Sequence, residues 1–468
     1  MNYSLETYQA LSVPQQTVLA LLAISGKTIN KSQLLHVLRV AHLKIDHKAI
    51  DDKRLTALLA EMSKKYHLEV ISSYSSVKYK PHKKWRNYIV HACLMNQSFD
   101  QLCGVLTESN LLAESGYYYD VDYEECSARL RIALLQGQSW DSVHTWLKRT
   151  QARHTHQSVD RSYEIALGPI YYSEWLARIH PSLIEEVLTA LLNCARFQLR
   201  SGRMAFLSDY CLTYIATKAL QPISPELRFQ LADVFVLSGR LTEALALCQD
   251  SDYDLLIQAA VHLLQNDVQK AVSLFIPGLK ALRQIKAYRN ALIPGFCSYL
   301  YVMALLRSSD AKLRKQAHTY LQLALKDTEA PDYFLWTQLD TLVKVQAGDA
   351  NVDKTDSDQF LLTQLFQGLL YTWTELDQCT PALLKDLLTY GEEAGCLFLV
   401  QQSAALLVHM GHKEHAKRVS EIQQQTGMHS CLDWFKCQEA WENQLSALMH
   451  LYLPVAPLIT STTKTGQK

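Results

Sequence analysis

Three sets of residues have the types and rough spacing that chemistry needs, and each is limited by its surroundings. His409, His412 and His415 recur every three positions, and His429, Cys431 and Cys437 follow, so imidazole and thiolate zinc ligands share one stretch. Gly411 interrupts the histidines, however, and His-x-Cys-x5-Cys is no recognised zinc spacing. The expectation is a polar turn with core cysteines, and no metal or cofactor. Gly26-Lys27-Thr28 has the last residues of a phosphate-binding loop, but Leu21 stands where that loop needs its first glycine, so a helix–helix turn is predicted. The acid pairs Glu124-Glu125, Glu185-Glu186 and Glu392-Glu393 are adjacent on helices, point in different directions, and read as solvated faces rather than acid–base pairs. No Ser-His-Asp or Cys-His arrangement is legible, and no enzyme activity is expected.

Binding chemistry is better represented. From Val70 to Met95 the chain carries Lys78, Lys80, Lys83, Lys84 and Arg86 and no acid, interleaved with Tyr74, Tyr79 and Trp85. Clustered cations are what a phosphate backbone rewards through counterion release. The plain alternative is a solvated basic face, and Asp51 and Asp52 nearby would oppose phosphate. Trp85 and Tyr88 read as core residues of the following helix rather than stacking platforms. A more dilute basic stripe, Lys280, Arg283, Lys286 and Arg289, reads first as the solvated face of a helix. Tyr117, Tyr118 and Tyr119, followed by Asp120, Asp122, Glu124 and Glu125, have the composition of a groove for a basic partner, or of a packing seam.

The charge distribution sharpens this. Formal net charge is zero over 468 residues, yet residues 1–86 hold fourteen Lys/Arg against six acids, leaving the remainder at minus eight. A basic head on an acidic body points to two modules with different partners. The eleven cysteines are odd in number and several, such as Cys194 and Cys248, sit in apolar helical runs, so a reducing cytoplasm is expected rather than a disulfide framework. The start MNYSLETYQALS lacks a basic segment followed by an apolar one, and no stretch reaches about 18 apolar residues. Neither a signal peptide nor a membrane span is expected.

Helical periodicity runs through most of the chain. In the head, Pro14 opens one helix, Asn30 can cap a second, and Lys48–Tyr66 reads as a third with Ile50, Leu55, Leu58, Leu59 and Met62 on one side. LEVI (Leu68–Ile71) and VKYK (Val77–Lys80) around a polar turn read as a hairpin. Helices then follow to about Val345, with breaks at Gly116, Gly168-Pro169, Pro222–Pro225 and Pro277-Gly278.

One spaced pattern occurs twice: Ala232-x2-Phe235-x3-Gly239-x4-Ala244 and Ala404-x2-Leu407-x3-Gly411-x4-Ala416. Small residues let two helices approach, and glycine ends the first in a left-handed conformation. Ala259, His262, Asn266 and Ala271 repeat it with asparagine for glycine, and Ala195 with Gly202 repeats part of it. The pattern resembles the core of a tetratricopeptide repeat, whose units stack to bury their apolar faces. Three helices and a two-stranded wing likewise resemble the winged-helix fold.

These resemblances imply an all-α protein: a winged-helix-like basic unit over residues 1–90, then an irregular tetratricopeptide-like α-solenoid over 91–345. A polar loop (346–358), further helical repeats (359–453) and a disordered tail (454–468) follow. The order is also similar to the sensory halves of large bacterial ATP-dependent regulators and to the regions preceding the motor in bacterial Swi/Snf-type helicases. No motor motif is present in these 468 residues, which implies a motor on another chain or a stand-alone adaptor. The expected function is a non-catalytic scaffold or regulatory adaptor that grips other proteins on the concave face of its stacked helices, with a DNA-binding regulator acting through the basic winged-helix-like unit as the rival.

Overall fold

The computed structural model describes residues 4–112, 123–153, 159–168, 172–198, 202–218, 222–326, 333–340 and 380–430, apart from 46, 66, 74–75, 250, 252, 309, 334 and 338. These residues are mainly helical, with short strands confined to the first 81. They form two units, one of Met1–Cys194 with Asp209–Thr217, the other of Ala195–Ser208 with Lys218–Lys468. The polar loop at 346–358, the tail at 454–468, Gly116 and Tyr117–Tyr119 lie outside the described residues.

The first unit opens with α1 (Leu5–Gln9) and α2 (Val13–Ser25). Ser12 and Gln15 cap α2 reciprocally with Pro14 in the first turn, and Gly26 ends it at φ 66°. A two-residue strand, β1 (Ile29–Asn30), leads into α3 (Lys31–Val40), where Asn30 accepts from the Gln33 N–H as the sequence predicts. The next helix is shorter than expected. β2 (Lys44–Ile45) and β3 (Lys48–Ala49) pair first, and the Asp51 side chain then accepts from the Arg54 N–H, so α4 spans Asp52–Lys64. β4 (Leu68–Ser73) and β5 (Ser76–Pro81) form the predicted hairpin, and β1 adds to the free edge of β5 to give the order β1-β5-β4. Two residues are too few to show strand alternation, which is why this third strand escapes a sequence reading.

Helices α5 (Arg86–Met95), α6 (Phe99–Glu108), α7 (Tyr123–Leu135), α8 (Trp140–Arg153), α9 (Val159–Leu167) and α10 (Ser173–Arg178) follow, and α11 (Ile184–Gln198) and α12 (Arg203–Thr217) contribute to both units. α2 packs against α5, α6 and α7, so the head expected over 1–90 is continuous with the helices beyond it. Gly26 is where this packing is tightest: a Cβ there would lie 2.4 Å from Ala128 Cβ, a reason beyond its left-handed φ for glycine.

The second unit is built of helical hairpins: α13 (Pro225–Leu237) with α14 (Leu241–Ala246), α15 (Asp254–Leu264) with α16 (Val268–Ile285), and α17 (Cys297–Leu306) with α18 (Ala311–Ala324). The first helices of these hairpins, α13, α15 and α17, lie side by side. Ala232 and Ala244 are buried with Gly239 at φ 75° between them, and Ala259 and Ala271 are buried with Asn266 at φ 68°. Ala232→Leu should overpack this crossing and lower stability by about 1–3 kcal/mol in urea unfolding. An unchanged midpoint would mean that the small residue there serves no close approach.

The C-terminal copy of the pattern departs from expectation. In the hairpin of α19 (Pro381–Ala394) and α20 (Leu397–His409), followed by α21 (Ala416–Thr426), Ala404 is buried but Ala416 is exposed. A 3-10 turn at Lys413–His415 precedes α21, and its tighter winding carries Ala416 off the crossing face. Pro277-Gly278 also departs: α16 runs through both. Pro277 is exposed, so the carbonyl it leaves unpaired can face water, while a Cβ on Gly278 would lie 2.8 Å from Leu256 Cδ2.

α20 closes the unit. A Cβ on Gly239 would lie 2.9 Å from Leu397 Cβ, the Cys396 thiol reaches the Leu237 carbonyl at 3.4 Å, and the Phe398 ring meets Phe296 edge-on at 4.9 Å. α13, α17 and α20 are therefore buried nearly all round. No helix among the described residues is long and apolar enough to cross a membrane.

Candidate functional site

The basic head holds the best-formed candidate surface, and its charges are arranged by α4 and the hairpin. Every acid at α4 is engaged within the head. Asp51 caps the helix and meets Arg54 Nη1 at 2.6 Å; the backbone hydrogen bond from Arg54 holds its carboxyl below the ordinary range. Asp52 takes Lys31 Nζ at 2.9 Å, and Glu61 takes Lys65 Nζ at 2.7 Å and Gln15 Nε2 at 3.2 Å. The objection that Asp51 and Asp52 would repel phosphate is thus weakened by local neutralisation. On the exposed side of α4, Lys53, Ala57, Ala60 and Lys64 form a stripe at helical spacing opposite the buried Leu55, Leu58, Leu59 and Met62, flanked by the exposed Asp52, Thr56 and Glu61.

The five predicted cations divide. Lys83 and Lys84 are exposed in the turn after β5, Lys78 is half-buried on β5, and none of the three forms an ion pair among the described residues. Lys80 and Arg86 do not belong with them. Lys80 Nζ lies 3.3 Å from Glu69, its cross-strand partner, and Arg86 Nη2 lies 2.9 Å from Glu124, with only 16% of the Arg86 side chain exposed. The acid-free window begins at Val70, and antiparallel register brings in the acid one residue before it. Val70, Ile71 and Val77 are exposed on the hairpin, an apolar element of the same surface. Trp85 is fully buried, edge-on to Tyr8 at 6.4 Å and 5.1 Å from the His67 ring, so it is a core residue as expected.

The remaining candidates take structural roles. Lys27 meets Glu125 at 2.9 Å beyond the Gly26 turn. Glu125 also accepts from Arg129 and is buried, Glu124 holds Arg86, Glu186 accepts from the Tyr163 hydroxyl at 2.7 Å, and Glu185 accepts from Tyr214 at 3.3 Å. The acids of these two pairs are therefore not solvated faces as expected, since each answers a donor on another turn or helix, whereas Glu392 and Glu393 are exposed as expected. Among the described residues no cluster of His, Cys, Asp and Glu could hold a metal. His412 lies 3.3 Å from Glu414, and Cys431 and Cys437 are outside the described residues.

The eight described cysteines are all free thiols. Burial pushes Cys93 up to about 11, and Cys103, Cys211, Cys248 and Cys396 up to about 12. A thiol held this far above neutral pH carries almost no thiolate and is a poor nucleophile. In the native protein these five should resist a thiol reagent and react only after denaturation. Fast labelling of any of them at neutral pH would reopen the case for cysteine chemistry.

Sequence reasoning placed Lys53 and Lys64 away from the apolar side of this helix but did not name them as a surface, because Ala57 and Ala60 between them carry no charge signal. It also missed a buried ion pair in the second unit between Arg196 and Asp233, at 2.7 Å. The two lie 37 positions apart, and no spacing rule links them. Compared with known proteins, the chain matches no family model, no curated protein and no solved structure.

Proposed function

We propose that this protein is a non-catalytic regulatory adaptor. Its tetratricopeptide-like body binds another protein, and its head is a winged-helix-like unit. The observation that carries the reading is the row of hairpins in the second unit, in which left-handed turns at Gly239 and Asn266 separate buried alanines. Repeats of this kind spend their apolar surface on one another and offer broad side-chain faces to partners. Because α20 already packs on α13, the partner surface is assigned to the outer helices rather than to the inner row. The free thiols fit a reducing compartment such as the cytoplasm. In-cell crosslinking of the whole chain, followed by mass spectrometry, should recover a specific protein partner. Crosslinks confined to the chain itself would sink the reading.

A second reading, a DNA-binding regulator, is favoured by the α4 stripe. Small residues flanked by Lys53 and Lys64, with the neighbouring acids paired off, suit the approach of a helix to a major groove. The order of three helices, a small edge strand and a hairpin supports the winged-helix likeness on which this reading rests. A mobility-shift titration across salt concentrations discriminates it, since binding to phosphates makes affinity fall steeply with salt.

A further inference from the structure

Between Val268 and Lys326 the chain carries ten Lys/Arg and one acid, Asp310, although residues 87–468 together sum to minus eight. Asp310 caps α18 by accepting from the Lys312 N–H, and its single charge still leaves an excess of nine cations. The excess is therefore concentrated on α16, α18 and the turn after α16. Lys280, Lys286, Arg289, Lys312 and Lys315 are exposed and form no ion pair among the described residues. At the C-terminal end of α16 the surface is indented by a cleft of about 430 Å³. Ile276, Leu279 and Ala287 give it an apolar lining, Lys280 and Arg289 line it with charge, and Gln316 reaches it from α18. Arg283 is fixed there by its Nε–H, which donates to the Ala291 carbonyl at 3.1 Å. Ile276, Ile285 and Tyr288 are exposed to 37%, 50% and 60%, unusual for large apolar side chains grouped beside so many cations.

We propose that this cleft is a docking site for an acidic segment of a partner protein, with one or two apolar side chains anchored in it and carboxylates on the Lys/Arg rim. The proposal rests on the adaptor reading and names its partner's chemistry. Charge complementarity selects an anion, and the apolar lining selects a peptide over a nucleic acid. A sequence-tolerant nucleic-acid surface stacks successive bases on several aromatics, whereas Tyr288 is the one aromatic that lines the cleft among the described residues. Tyrosine and arginine are also the residues that most often dominate protein–protein binding.

The test uses the whole chain and a fluorescein-labelled amphipathic Glu/Leu peptide, beside a poly-Glu peptide and single-stranded oligo-dT. Anisotropy should show saturable binding of the Glu/Leu peptide, weaker binding of poly-Glu, and loss of affinity as salt rises. Lys280→Glu with Arg289→Glu should weaken Glu/Leu binding by about tenfold or more. Both side chains are exposed and unbonded, so unfolding temperature should not move. Tyr288→Ala should weaken the Glu/Leu peptide and leave poly-Glu unchanged. No binding by the wild type, equal binding by the double variant, or preference for oligo-dT would each overturn the proposal, the last reassigning the cleft to nucleic acid. Partner crosslinks that survive the double variant would overturn the cleft and keep the adaptor reading. Peptide binding without any crosslinked partner would support the cleft and count against that reading.

Discussion

Asp233→Ala should destabilise the second unit by about 3–5 kcal/mol, because it takes a carboxylate away from a buried cation and two buried amides at once. Arg196 and Asp233 are 1% and 0% exposed, and Arg196 Nη1 bridges Asp233 Oδ2 at 2.7 Å and Gln230 Oε1 at 2.9 Å. The carboxylate does more than pair. Its Oδ2 also accepts from the Phe296 N–H and its Oδ1 from the Cys297 N–H, each at 2.8 Å, and so fixes the start of α17. Truncation would leave the guanidinium short of its counter-charge and two buried amides without their acceptor, and each loss is unfavourable in a dry interior. Gly295 makes the same point from the backbone: it sits at φ 83°, and a Cβ would lie 2.3 Å from Asp233 Oδ2. Gly295→Ala should therefore also destabilise. Urea unfolding followed by hydrogen exchange of the α13 and α17 amides would measure both. A loss under about 1 kcal/mol for Asp233→Ala would show that water or a rearranged Gln230 takes the carboxylate's place.

The second large effect concerns nucleic acid. If the head binds DNA, Lys78→Glu, Lys83→Glu and Lys84→Glu together should abolish a mobility shift at moderate salt. They should also lower the slope of log affinity against log salt by about two to three, close to 0.9 for each phosphate no longer neutralised. These three cations make no ion pair among the described residues, so the fold should survive. Lys80 and Arg86 are unsuitable for the test, because reversing either would set like charges against Glu69 or Glu124 and confound binding with stability. Ala57→Glu on the α4 stripe provides an independent variant: it should weaken binding without touching the hairpin. A wild type that binds neither DNA nor RNA at low salt would leave the head as a protein-docking surface.

What the sequence made legible was local. Asn30 and Pro14 mark helix starts because capping and proline act within one turn, and Gly239 and Asn266 mark turns because left-handed backbone is a property of a single residue. Ala416 shows where this ends: the same spacing gave a different crossing once a 3-10 turn intervened. Pro277 shows it too, since a proline on the solvent side of a long helix need not break it. The candidate surface was half legible. Composition located the cations, but the split between exposed lysines and the paired Lys80 and Arg86 depends on strand register and on the approach of α7. The Arg196–Asp233 and Lys31–Asp52 pairs were invisible, because each joins residues brought together only by the fold, whereas Asp51–Arg54 and Glu61–Lys65 follow helical spacing.

The seating of α20 has a consequence for how this chain is made. The Cys396 thiol and the Leu237 carbonyl that it meets are 159 positions apart, so α13 leaves the ribosome long before the helix that covers it. At about 5–20 residues per second the gap is on the order of ten to thirty seconds. During it, the apolar flank of α13 around Gly239 has no permanent cover. A chain stopped before Pro381 would keep that flank bare for its lifetime, and should be lost to aggregation or proteolysis rather than persist as a shorter folded protein. The hairpin of α19 and α20 is in this sense a timing device: until it arrives, the flank of α13 around Gly239 is open to chaperones, and afterwards it is covered.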